Sequence, residues 1–173
     1  MRLDLLTKLA DALETQVPQN QFDLGAWQRL DAPCGFVGCA VGWGIHLGVF
    51  MGLRLDTTTN GYNPLALAFT RIIRCDGAGN DIDDVDGLPS EDWNNVASYL
   101  ELDLADAAHL FDSDEYEQTY GGLTWNEYYD RNSHEPHDRE FDTIKIETVV
   151  ARIREFVGVH EGNSSAPAGW EEY

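Results

Sequence analysis

Lysine is nearly missing from this 173-residue chain: only Lys8 and Lys145 occur. Arginine does little to compensate, and from residue 75 to residue 130 there is neither Lys nor Arg. A chain so poor in positive charge lacks the basic stripe that nucleic-acid binding needs, and anionic membrane surfaces repel it. Cysteine is scarce as well. Cys34, Cys39 and Cys75 are odd in number and sit mostly in apolar context, so buried, reduced thiols are expected rather than a disulfide framework. No basic segment followed by an apolar core opens the chain, which predicts no secretory signal and a cytoplasmic location. P-loop, GxGxxG, GxSxG and kinase signatures are all missing.

Acid takes the place of base. The chain has 31 Asp and Glu against 11 Lys and Arg, a formal net charge of -20. Sixteen of these acids lie between Arg74 and Arg131. Residues 1–74 hold six acids and six bases and balance, so residues 75–173 generate the whole field. Apolar residues at 43% and aromatics at 11% nevertheless suffice for a folded core. One domain over 1–161 is expected, neutral over 1–74 and strongly acidic over 75–161, with a flexible tail at 162–173 (GNSSAPAGWEEY).

Periodicity predicts the elements. Leu3, Leu5, Leu6, Leu9, Ala10 and Leu13 form a helical stripe over residues 2–16 that Pro18 ends. Phe22, Leu24 and Trp27 fall in a short turn region. Residues 34–53 (CGFVGCAVGWGIHLGVFMGL) carry no formal charge and read as a buried central helix, with room for a break at glycine. Six glycines, a central His46 and the lack of a basic flank favour this over a membrane span. The spacing of Gly38 with Gly42, and of Gly44 with Gly48 and Gly52, suggests close approach of a second helix. Asn60-Gly61 suits a hairpin after Leu53, and Pro64 opens a segment (LALAFTRII) that reads as helix. Further helices are expected from Ser90 to Leu100, from Asp103 to Phe111 with Leu104, Ala107, Ala108 and Phe111 facing inward, and from Thr143 to Val157; Leu123–Tyr129 is aromatic-rich and open to helix. The fold class is therefore mainly α: a single compact helical domain with a Gly-rich buried central helix and room for one small β-hairpin.

Phe22-Asp-Leu-Gly-Ala-Trp27, followed by Cys34-Gly-Phe-Val-Gly-Cys39-Ala-Val-Gly-Trp43, resembles small uncharacterised bacterial and phage proteins that carry FDxxxW and then CGxxxCxxGW. The stretches at 100–111 and 149–156 are similar in kind. The resemblance implies a soluble, mostly helical protein, often from a mobile element, and it carries no catalytic residues over. For a phage-encoded chain the expected location is the host cytoplasm.

Candidate chemistry is weak throughout. A Cys34, Cys39, His134 and His137 zinc set fails on spacing, because five residues of helix turn the two thiols about 140° apart. His134-Glu-Pro-His137 is not HExxH, and Pro136 blocks helical pairing of the two histidines. The Asp76–Asp86 loop is rich in oxygen but matches no EF-hand register, so only weak cation binding is open to it. Cys34 lacks a basic neighbour to lower its pKa. His46 reads as a core histidine. No metal ion or other cofactor is expected, and no catalytic residue is assigned.

The expectation is a non-enzymatic acidic binding protein whose carboxylates mimic nucleic-acid phosphate charge, occupying and inhibiting a basic nucleic-acid-binding host protein. Asp103, Asp106, Asp112, Asp114, Glu115 and Glu117 are the expected partner-binding residues. Trp93, Tyr99, Phe111, Tyr116 and the aromatics that follow them would anchor the interface. The chain itself would contact no nucleic acid and no membrane, and a homo-oligomer is open to it. An alternative is a halophile-adapted structural, virion or assembly protein, since Asp outnumbers Glu 18 to 13 and Lys is scarce. A second alternative is a small metal-dependent enzyme.

Overall fold

In the computed structural model, which describes residues 1–24, 27–28, 36–58, 69–82, 91–112, 116 and 144–163, the chain is mainly α with a small antiparallel strand pair. The described elements run α1 (Leu3–Gln16), a 3-10 turn (Gln19–Gln21), α2 (Ala40–His46), β1 (Leu53–Thr58), β2 (Phe69–Arg74), α3 (Glu91–Leu100), α4 (Leu104–Phe111) and α5 (Ile146–His160). None of the described helices is long and apolar enough to cross a membrane.

The core begins with two amphipathic helices. Leu5, Leu6, Leu9, Ala10 and Leu13 bury one stripe of α1, while Val149, Val150, Ile153, Phe156 and Val157 bury one stripe of α5. The two stripes pack together. Beside the seam Arg154 of α5 reaches Glu14 at 2.7 Å and Asp11 at 3.2 Å on α1. Val17 is extended because Pro18 follows it, and there α1 stops.

The glycine-rich segment departs from the sequence reading. A buried helix is present, but it spans only Ala40–His46. Before it Gly38 forms a parallel bridge with Phe22, and after it residues 47–52 turn. The glycines admit backbone at Gly38 and Gly42, and aromatic rings at Gly44 and Gly52, with Leu9 of α1 also 3.1 Å from a Cβ at Gly44. A side chain at Gly38 or Gly42 would run into the carbonyl oxygen of Trp27. A Cβ on Gly44 would lie 2.7 Å from the Phe50 ring, and one on Gly52 would overlap the ring of Tyr99. Gly48 has φ +71°, a turn conformation, with open space around it. His46 is exposed at the end of α2, stacked on Phe36 at 4.2 Å, and is not a core histidine.

The strand pair is antiparallel, with Leu53 opposite Arg74 and Leu55 opposite Ile72. The helix expected after Pro64 is therefore corrected over 69–74, where strand pairing decides. Ile72 alternates inward and is 1% exposed, and β-branched Thr70, Ile72 and Ile73 suit a pleated surface. Residues 59–68, including Asn60-Gly61, lie outside the described residues.

Helix α3 closes the free side of β2. Asp92 Oδ1 accepts from the Ile72 amide at 3.1 Å, and Asn95 Nδ2 donates to the Ile72 carbonyl at 2.9 Å. Both side chains are buried, one helical turn apart, so together they satisfy one residue of the strand edge. Asn95→Ala leaves a buried carbonyl without its donor. It is expected to cost about 1–3 kcal/mol, read as a lower denaturant midpoint at unchanged slope.

Candidate acidic interface

Helix α4 carries the described part of the acidic candidate. Asp103 is its N-cap, in extended conformation, and its Oδ1 accepts from the Asp106 amide at 2.7 Å. Asp103 is exposed and Asp106 half-buried. Burial and the neighbouring Asp103 push the Asp106 carboxyl up, against the pull of His160 and His109. Both acids also sit where the helix dipole favours negative charge, so each has a local structural role as well.

The other end of α4 is neutralised by a cation. Arg152 of α5 donates Nη1 to the His109 carbonyl at 2.8 Å, and its guanidinium lies 3.7 Å from the centroid of the Tyr116 ring. The Tyr116 hydroxyl donates to the Leu110 carbonyl at 2.6 Å, and burial raises its pKa. Asp112 is the half-buried C-cap; its amide donates to Ala108 at 2.7 Å. Asp114, Glu115 and Glu117 lie outside the described residues.

The inner face of α4 differs from the expected one. Ala107, Leu110 and Phe111 are buried, whereas Leu104 is 52% exposed beside Asp103. The N-cap fixes the phase of the helix, and that phase points its first residue outward. Two of the expected aromatic anchors are corrected. Phe111 and Tyr116 belong to the core. Trp93 packs edge-on against Trp27 with centroids 4.6 Å apart, and Tyr99 lies under the Arg2 guanidinium at 4.7 Å. Periodicity alone marked Phe111 as inward; Tyr116 carried no such signal.

Positive charge is spent inside the molecule. Among the described residues Lys8 pairs with Asp4, Arg54 with Asp81, Arg71 with Asp92, Lys145 with Glu147 and Arg154 with Asp11 and Glu14. Arg2 covers Tyr99, Arg74 donates to Ser98, and Arg152 caps α4. Every described Lys and Arg therefore has an intramolecular contact, while Asp103 and Asp106 pair with no Lys or Arg among the described residues.

Other chemistry finds little support in the described geometry. No group of three or more His, Cys, Asp or Glu is arranged there to hold a metal ion. Asp76 turns its carboxylate onto the amides of Ala78 and Asn80 and the Asn80 side chain, at 2.8–3.0 Å, which holds its pKa down. Cys39 caps α2 with its sulfur accepting from Gly42, and burial pushes the thiol up to about 12, so it stays protonated. Cys34, His134 and His137 lie outside the described residues. Compared with known proteins, the chain matches no family model, no curated protein and no solved structure.

Proposed function

We propose that the chain is a non-enzymatic acidic binder whose carboxylate surface takes the place of nucleic-acid phosphates in the cleft of a basic, nucleic-acid-binding protein and inhibits it. The observation that carries this reading is the engagement of every described Lys and Arg within the molecule, in a chain whose formal net charge is -20. Duplex DNA carries about one charge per 1.7 Å of axis, so a dense carboxylate patch competes for the same counter-charges. Asp103, Asp106, Asp112, Asp114, Glu115 and Glu117 form the contact set, with exposed Leu104 as an apolar point among them.

The test immobilises the protein, passes cell lysate over it and elutes with salt and, separately, with duplex DNA. Retention of a nucleic-acid-binding protein that both eluents release supports the reading. Combined charge reversal of Asp112, Asp114, Glu115 and Glu117 to Lys is expected to abolish retention, and Asp103→Asn to weaken it while preserving the helix cap. Retention that survives the fourfold reversal removes the acidic patch from the interface. A second reading, solvation in a high-salt cell, rests on the two lysines and the excess of Asp over Glu. It predicts unfolding at low salt and no salt-released partner.

A further inference from the structure

The strand pair has two edges, and the chain treats them differently. On β2 the amide and carbonyl of Ile72 are closed by Asp92 and Asn95. Because Ile72 directs both groups to α3, its partner Leu55 occupies a non-hydrogen-bonded position of the ladder, and the Leu55 N–H and C=O point away from β2. Among the described residues neither group has a hydrogen-bond partner. Strand β1 (LRLDTT) has no proline, no lysine and a one-to-one register without a bulge, so its only guards as an edge are two charges. Either side of Leu55 stand opposite charges: Arg54, with its side chain 46% exposed, and Asp56, which forms no ion pair among the described residues.

We propose that β1 is a self-association site, at which two copies of the chain pair antiparallel, centred on Leu55, into a four-stranded sheet ordered β2-β1-β1-β2. In this register Leu55 meets its copy at a hydrogen-bonded position and the two exchange both main-chain bonds. Arg54 then stands opposite the partner subunit's Asp56, and Asp56 opposite the partner subunit's Arg54, at positions where cross-strand Cβ atoms approach to about 4.5–5.5 Å. The two-fold axis repeats the pair, so the edge is self-complementary. Centring on Arg54 or on Asp56 instead would set like charges against each other, so the side chains favour the register on Leu55 over its two neighbours. The strand itself belongs to the charge-balanced residues 1–74.

The test is sedimentation equilibrium on the whole chain, with circular dichroism to confirm folding. The wild type is expected to dimerise. Asp56→Arg, which leaves the Arg54–Asp81 pair in place, and Arg54→Asp are each expected to weaken the dimer about ten-fold or more, since both symmetric pairs become repulsive. An equimolar mixture of the two variants is expected to recover association, because an edge with two acids meets an edge with two arginines. Independently of any variant, the Leu55 amide of the wild type should become protected from hydrogen exchange as concentration rises. A wild type that stays monomeric at about millimolar concentration, a dimer indifferent to Asp56→Arg, or a Leu55 amide that exchanges equally at all concentrations overturns the proposal.

Discussion

Gly42→Ala is expected to cost at least about 3 kcal/mol, the upper end of what overpacking a close-packed interior costs. Gly42 is buried in α2, and a Cβ there would overlap the carbonyl oxygen of Trp27. Backbone cannot swing aside as a flexible side chain can, so either α2 or the Trp27 segment must move. Moving α2 would disturb the sulfur cap at Cys39, the bond from Trp43 Nε1 to the Gln21 carbonyl at 3.2 Å, and the Phe22–Gly38 bridge. A loss of this size consumes a large share of the about 5–15 kcal/mol that stabilises an ordinary domain. Chemical denaturation measures it, and Gly77→Ala, where nothing lies within 4 Å of the added methyl, is the control expected to change little. Equal midpoints for the two variants would refute the close approach at Gly42.

Phe156→Ala is expected to cost about 3–5 kcal/mol, the usual range for removing a fully buried ring. Phe156 is 0% exposed in the core that α1 and α5 build together, and its ring lies 4.2 Å from that of His160. Truncation leaves a void among leucines and valines held by rigid helices, where little can collapse into it. Thermal unfolding should fall by roughly 10 °C or more for a chain of this size. Val149→Ala on the same stripe removes fewer atoms and should show a smaller drop. A Phe156→Ala midpoint within a degree or two of wild type would mean that the α1–α5 seam is not the main core.

Periodic stripes make α1, α4 and α5 legible in the sequence, and a start signal at Ser90 after Pro89 does so for α3. Each buries one face against a neighbour, and burial at helical spacing leaves a signal in the residues themselves. The errors fell where burial follows no simple period. Gly38, Gly42, Gly44 and Gly52 were spaced as a helix-packing face would be, yet they receive a carbonyl and aromatic rings. A missing side chain records that something comes close without recording what. Phe69–Arg74 followed a proline and apolar residues and read as helix, although its strand identity depends on pairing with residues 53–58 and on two side chains of α3. Such long-range partners leave no local trace. Of the six acids, Asp103, Asp106 and Asp112 fall on or beside α4 as expected, but the capping role of Asp103 and the half-burial of Asp106 were not visible in composition. The open edge at Leu55 leaves no signal in the sequence either. The weak alternation of LRLD suits a strand, but which edge stays bare depends on where α3 docks.

That docking also bears on the order in which the chain can assemble. Asp92 and Asn95 lie 20 and 23 residues beyond Ile72, the residue they close. Until they arrive, the strand pair is a two-stranded ribbon with both margins bare, and such ribbons are marginal in water. During synthesis, which proceeds at about 5–20 residues per second, the pair is therefore complete in sequence well before it can hold. The strand pair is therefore expected to become durable only when α3 has left the ribosome and folded onto it.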